Sequence, residues 1–204
     1  ASSVDWIHFG FATMTLGREH IADILKAKLA VSFRGFDIAR YPLRHPGCFR
    51  ILWKQVDRVH VISDSLLKDA RILGLPEAVS YRKITPAIDT NYFSIAIQSP
   101  SFQTPVRLLT VARLHWVKGF EYTFEALSNL KKSGYPFRYT IVGDGGEIDR
   151  LTLAAGQLGI IDDVQFVGKV AHADLITYYR QTDIYLQYSV QEGFCNAVLE
   201  AQAV

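Results

Sequence analysis

The sequence predicts an α/β protein made of two parallel-sheet domains facing a cleft. Three observations predict it. Short apolar runs of strand length alternate with segments of helical periodicity. The alternation lapses between Pro86 and Pro105, where Ser99-Pro100-Ser101 and Thr104-Pro105 mark a linker. A second strand–helix series then begins and runs to the end of the chain. Residues 1–87 are thus expected in one domain, 88–105 in a hinge or linker, and 106–204 in the other.

In order, Val4 to Phe11 reads as a buried strand ending in a Gly turn. Ile21, Ile24, Leu25 and Leu29 repeat at helical spacing and predict a helix from about Gly17 to Leu29. Leu29 to Phe33 is a second strand, and Arg34-Gly35-Phe36-Asp37 its carboxyl-end loop. Pro42, Pro46 and Gly47 break residues 38–47 into a loop with short helical pieces, and Phe49 to Gln55 reads as a helical turn or two. Val56 to Ile62 is a third strand. Ser63-Asp64-Ser65 offers an N-cap for a helix from Leu66 to Leu73, stopped by Gly74. Lys83-Ile84-Thr85 reads as a short fourth strand.

The second series opens with a strand at Arg107 to Ala112. The loop Arg113 to Gly119 leads to a helix from Phe120 to Lys132, ended by Gly134. Strands follow at Tyr139 to Val142 and Val164 to Val167, with helices at Glu147 to Leu158 and Ala173 to Arg180. Asp183 to Tyr188 is the last strand. A turn containing Gly193 then leads into a helix carrying Ala197, Val198, Leu199, Ala201 and Ala203.

The chain has 204 residues, 49% of them hydrophobic, enough for a sizeable core, and a net charge of +2. That balance argues against a dedicated nucleic-acid binder. Cys48 and Cys195 are far apart and in no metal-like spacing, so a reducing, cytoplasmic compartment is the default. No signal peptide or run of transmembrane length stands out. Both ends look cut, which suggests a fragment of a longer protein in which both domains are incomplete.

The final turn is the informative stretch. Glu192 and Glu200 stand eight positions apart, the first in the turn and the second about one turn into the helix. In an open α/β sheet such a turn lies at the carboxyl end of the strands, where ligands bind. Free backbone N–H groups between two acids suit a long ligand with hydroxyls at its ends and phosphate in its middle. A helix cap plus a solvated acid is the plainer alternative.

Glu192-Gly193-Phe194 followed by Glu200 resembles the E-x7-E signature of retaining glycosyltransferases of GT-B fold, in the glycosyltransferase 4 group. Val111-Ala112-Arg113-Leu114 with Lys118-Gly119 resembles that family's paired basic site, and Ile141-Val142-Gly143-Asp144-Gly145 its I-V-G-D-G segment. Ile88 to Phe93 resembles the hinge between GT-B domains, an Asp-capped turn packed by Phe93 being compatible with it. The resemblance implies two Rossmann-like domains and sugar transfer, hexosyltransferase in type, from a nucleotide-diphosphate donor to a hydroxyl acceptor with retention of configuration. A glycan or lipid-linked acceptor in polysaccharide or glycolipid synthesis is implied. The donor is a substrate, and no cofactor is expected.

On that reading Glu192 and the N–H groups of Gly193, Phe194 and Cys195 orient the sugar and steady the diphosphate. Glu200 holds the ribose hydroxyls, and Arg113 and Lys118 stabilise the leaving charge. Gly143 and Gly145 allow close approach of base or ribose, and Lys169 and Val170 hold the base through backbone groups. For these two loops a tight turn is the equal alternative. Arg34 stands where the family commonly has His, so it is a candidate sugar contact or a partner of Asp37, and His8 is a weaker candidate. No Asp-x-Asp occurs in the sequence, which fits metal-independent chemistry in which cations and a helix amino end neutralise the diphosphate. The basic and aromatic run of Arg40, Tyr41, Arg44, His45, Arg50, Trp53 and Lys54 reads first as a solvated loop, with peripheral contact to anionic lipid headgroups as the alternative. A non-catalytic nucleotide or nucleotide-sugar binder on the same fold is the competing function. A dinucleotide-dependent oxidoreductase is disfavoured because Ile148 stands where G-x-G-x-x-G needs its last glycine.

Overall fold

The computed structural model describes residues 4–94 and 104–204. The Ser99-Pro100-Ser101 stretch of the expected linker lies outside the described residues. The chain divides into two units. One runs to Ala87 and takes in Glu192–Phe194, and the other comprises Ile88–Gln191 and Cys195–Val204.

The first unit is a parallel sheet of β1 (Trp6–Phe9), β2 (Lys28–Phe33), β3 (Arg58–Val61) and β4 (Ser80–Lys83), in that spatial order. Alternation decides its faces. Leu29, Val31, Phe33, Val59 and Val61 are buried, packed with Leu52 and Trp53 of α4 (Leu52–Gln55) and with Leu66 and Ala70 of α5 (Asp64–Ile72). The helix α5 starts two residues before the expected Leu66, and Ser63 is its cap, the hydroxyl accepting from the Leu66 N–H. Residues 36–44 form two short helices, α2 (Phe36–Ala39) and α3 (Tyr41–Arg44).

The other face carries polar groups. Lys28 and Arg58 each lie 5.5 Å from the Trp6 ring centre. Beside them runs a file of hydrogen bonds: His8 Nε2 to Ser32 Oγ at 2.8 Å, Ser32 Oγ to His60 Nδ1 at 2.9 Å, and His60 Nε2 to the Ile84 carbonyl at 3.0 Å.

Several expectations for the first unit need correction. The first strand, expected to be buried over Val4 to Phe11, is only Trp6–Phe9, and its residues are exposed or half-buried. The helix expected over residues 17–29 shrinks to α1 (Ile21–Ile24), since Gly17 and Lys26 both adopt positive φ, 73° and 53°. The fourth strand starts at Ser80 and ends at Lys83, because its ladder partners are Arg58 to Val61 of β3.

The second unit is a parallel sheet in the order β7-β6-β5-β8: β5 (Val106–Val111), β6 (Phe137–Val142), β7 (Val164–Gly168) and β8 (Ile184–Tyr185). Both its faces are covered, as in a Rossmann-like fold. Leu108, Tyr139 and Ile141 pack under α6 (Phe120–Lys132) and α7 (Ile148–Gln157), through Phe124, Leu127, Leu151 and Ala155. Leu109 and Val142 face the other way, onto α8 (Leu175–Arg180), α9 (Asn196–Ala203) and the linker residue Phe93. That linker turn is capped as expected, Asp89 Oδ1 accepting from the Asn91 N–H at 2.9 Å.

The last strand is shorter than predicted. Only Ile184 and Tyr185 pair with β5, and a charge clamp sets their register. Asp183 Oδ1 accepts from the Arg107 guanidinium at 2.7 Å, while Oδ2 accepts the Arg107 backbone N–H at 2.7 Å. This bonding holds the Asp183 carboxyl below the usual carboxylate range. Among the described residues no helix is long and apolar enough to cross a membrane.

Candidate functional site

Because all four strands of the second unit are parallel, the loops that follow them emerge at one sheet edge. Backbone hydrogen bonds fasten these loops to one another. The Leu114 N–H donates to the Asp144 carbonyl at 2.8 Å, joining the loops after β5 and β6. The Gly143 N–H donates to Gly168 at 2.8 Å, joining those after β6 and β7, and the Val190 N–H donates to Val117 at 2.8 Å, joining those after β8 and β5. Arg113, Lys118, Gly143, Gly145, Lys169 and Val170 therefore share one edge.

Within it, Arg113 is exposed at the start of its loop. Lys118 is half-buried and ends a 3-10 turn, Trp116–Lys118, just before α6. The Trp116 N–H donates to Glu147 Oε1 at 2.9 Å, and Arg150 binds both Glu147 and Glu121, so the outer side of this loop is held by charge.

Gly143 and Gly145 have a structural reason independent of any ligand. A Cβ on Gly143 would stand 2.0 Å from the Ala112 carbonyl oxygen, and one on Gly145 would stand 2.2 Å from that of Leu114. Gly143 also adopts φ 138°, a conformation that disfavours any other residue. The chain these glycines let approach is the neighbouring loop. Lys169 is exposed, and Val170 is half-buried against the core cluster that includes Phe93.

The acids of the final turn differ in setting. Glu192 is exposed, and Glu192–Phe194 groups with the first unit, where Phe194 packs on the core. Cys195 is half-buried at the start of α9. Glu200, on the inner face of α9, is only 5% exposed. Its Oε1 lies 2.8 Å from His172 Nε2 and its Oε2 accepts the Tyr179 hydroxyl at 2.8 Å. Neither His172 nor Tyr179 was singled out by sequence. The only available signal was indirect: a carboxylate on the buried face of a helix requires donors from somewhere.

In the first unit His8 lies within β1, one residue before its end, bonded across the sheet to Ser32. Arg34 does not pair with Asp37 through its side chain. Its Nε donates to the Gly10 carbonyl at 3.1 Å and its guanidinium lies over the Phe11 ring. Asp37, fully buried, instead accepts the backbone N–H groups of Ala12, Arg34 and Gly35 and so shapes the loop after β2. Trp53 drops out of the basic surface run: it is 7% exposed and its Nε1–H donates to Leu73 at 2.8 Å.

Two Rossmann-like parallel-sheet units, one of them presenting cations and glycine turns at its carboxyl edge, define a GT-B-like α/β protein. The sequence profile described as "Glycosyl transferases group 1" matches residues 94–204, and the chain belongs to that family. It is 29% identical over 213 residues to the amylovoran biosynthesis glycosyltransferase AmsK of Erwinia amylovora, covering 100% of this chain and 52% of AmsK. Among solved structures it is similar to Anabaena Alr3699/HepE in complex with UDP, with TM-score 0.79 and 18% identity, over 98% of this chain and 57% of that one. It is also similar to sucrose-phosphate synthase from Thermosynechococcus elongatus, with TM-score 0.74 and 18% identity, over 96% and 53% of the two chains. The chain spans about half the length of AmsK.

Proposed function

We propose that the protein carrying this chain is a glycosyltransferase that moves a sugar from a nucleoside-diphosphate donor, UDP-linked in the first instance, to a hydroxyl of a growing polysaccharide or glycolipid. The observation that carries this reading is the buried Glu200, pinned on the inner face of α9 in the same unit as a loop edge bearing Arg113 and Lys118. A fixed acceptor for hydroxyls and nearby cations for phosphate are what a nucleoside diphosphate requires. Family membership and the UDP bound by the HepE neighbour support the same donor class.

In the proposed reaction the acceptor oxygen bonds to the anomeric carbon as the bond from that carbon to the donor phosphate breaks. The acceptor proton passes to the leaving phosphate oxygen on the same face, which retains configuration. Arg113 and Lys118 stabilise the departing charge without a metal, and the role assigned to Glu192 is to orient the sugar. Lys169 and Val170 offer backbone groups to the base. The two unpaired cysteines fit a reducing, cytoplasmic setting. Arg44, Arg50 and Lys54 are exposed, as is Leu43 at 79%, and these side chains offer contacts for anionic headgroups.

The test is a panel of sugar nucleotides assayed for nucleoside diphosphate release with the intact protein, with and without EDTA. Release from at least one donor, undiminished by EDTA, is expected. Tight donor binding without release would favour a non-catalytic binder, and loss of binding in EDTA restored by magnesium or manganese would overturn the metal-free phosphate site.

A further inference from the structure

A buried carboxylate is costly unless donors meet it. Glu200 has one on each oxygen, His172 Nε2 and the Tyr179 hydroxyl, both at 2.8 Å. An ionised carboxylate offers about four lone-pair sites, so two remain for a ligand.

The donors are identified by chemistry. Burial, and then the Glu200 charge, push the Tyr179 phenol far above its ordinary range, so it keeps its hydrogen and donates it. A ring nitrogen at 2.8 Å from a carboxylate oxygen carries a hydrogen, which places one on Nε2 of His172.

The two supports differ in setting. The Tyr179 ring is buried between Phe93 and Tyr185, with ring centres 6.0 and 5.9 Å away. His172 comes from the loop after β7, its side chain 69% exposed and its ring edge-on to Phe93 at 5.4 Å. Tyr179 fixes one oxygen from within the core, and His172 fixes the other from the solvent side.

We propose that His172 is a positioning residue for nucleotide binding: together with Tyr179 it turns the Glu200 carboxylate so that its unused lone pairs meet the hydroxyls of a ribose. This rests on the donor-binding reading above. His172 acts through Glu200, so its effect is confined to ligands that carry those hydroxyls.

The experiment is calorimetry of the intact protein with UDP and with 2′,3′-dideoxy-UDP, for the parent, His172→Ala, His172→Gln and Glu200→Gln. His172→Ala is expected to weaken UDP about five- to tenfold, the scale of one hydrogen bond, and to leave dideoxy-UDP within twofold. His172→Gln, which restores an N–H at similar reach, is expected to recover most of the UDP affinity, and His172→Ala placed on Glu200→Gln to lose little more. Equal loss for both nucleotides would make His172 merely structural, and no loss for either would remove its role. A parent that binds both nucleotides alike would remove the ribose role of Glu200 and this inference with it, while sugar transfer stood. A parent that binds neither would remove the donor reading itself.

Discussion

Adding one methyl group at position 145 should damage the second unit, whereas adding it one residue later should not. In Gly145→Ala the new Cβ would lie 2.2 Å from the Leu114 carbonyl oxygen, 2.8 Å from its carbon and 3.0 Å from its nitrogen. The contact with the oxygen is more than an ångström inside the roughly 3.5 Å at which nonbonded heavy atoms settle. The obstacle is backbone, so no rotamer change relieves it. Separating the strands of chain also lengthens the bond from the Leu114 N–H to the Asp144 carbonyl, now 2.8 Å. Overpacking costs about 1–3 kcal/mol and a weakened hydrogen bond about 1 kcal/mol, so a loss of about 2–4 kcal/mol is expected. A Cβ at Gly146 meets nothing within 4 Å. Gly146→Ala should therefore change stability by less than about 1 kcal/mol, with a gain expected if its backbone suits alanine. Equilibrium urea unfolding of the two variants beside the parent measures both. Equal stability of Gly145→Ala and Gly146→Ala would refute the argument that loop-to-loop packing demands the first glycine.

Asp183→Asn keeps the shape of the clamp on β8 but removes its charge. Because Arg107 is 41% exposed, a cost of only about 1 kcal/mol is expected in urea unfolding. The folded carboxyl titrates below its unfolded value, so its contribution is complete above the ordinary carboxylate pKa of about 4 and fades as pH falls through the lower, folded one. The gap between parent and Asp183→Asn should accordingly shrink below about pH 4, and a gap that widened there would contradict the clamp. The two acids of the final turn should also separate. Glu200→Gln is expected to weaken UDP about ten- to a hundredfold, the scale of a charge-assisted hydrogen bond. Glu192→Gln should slow transfer with UDP affinity nearly unchanged, as calorimetry beside a turnover assay would show. Equal losses of UDP affinity would mean one shared subsite.

The parts of the fold readable in the sequence are those where local signals and burial agree. In α6 the buried Phe120, Phe124 and Leu127 coincide with helical spacing and with a glycine stop at Gly134, φ 84°. At α5 the Ser63 cap announces the start. Where signal and burial part company, the structure departs from the local pattern. Ile24 and Leu25 keep the helical rhythm yet are 76% and 52% exposed, and the backbone turns away at Lys26. All four residues of β4 are exposed, so no alternation marks where it begins. The site divides the same way. The candidate cations, glycines and acids could be named from the resemblance of their motifs to the family's, but not what each one touches. Gly143 and Gly145 answer to carbonyls about thirty residues earlier, and Glu200 to side chains 28 and 21 residues away. Such partners are set by which strands become neighbours, and no local pattern records that.

The file of hydrogen bonds on the polar face of the first sheet has a direction, and a single carbonyl imposes it. The Ile84 oxygen can only accept, so the hydrogen of a neutral His60 sits on Nε2 and its Nδ1 is bare. Ser32 must then point its hydrogen at that nitrogen, and its oxygen is left to receive one from His8 Nε2. A proton arriving on His60 reverses the traffic. Both ring nitrogens become donors, the Ser32 hydroxyl swings round, and His8 has to shift its own hydrogen to Nδ1 to accept it. Ser32 is fully buried, and its hydroxyl has these two rings as its partners. The electrical state of one ring is thereby written into the tautomer of another two strands away, where the 15N chemical shifts of the His8 ring can read it.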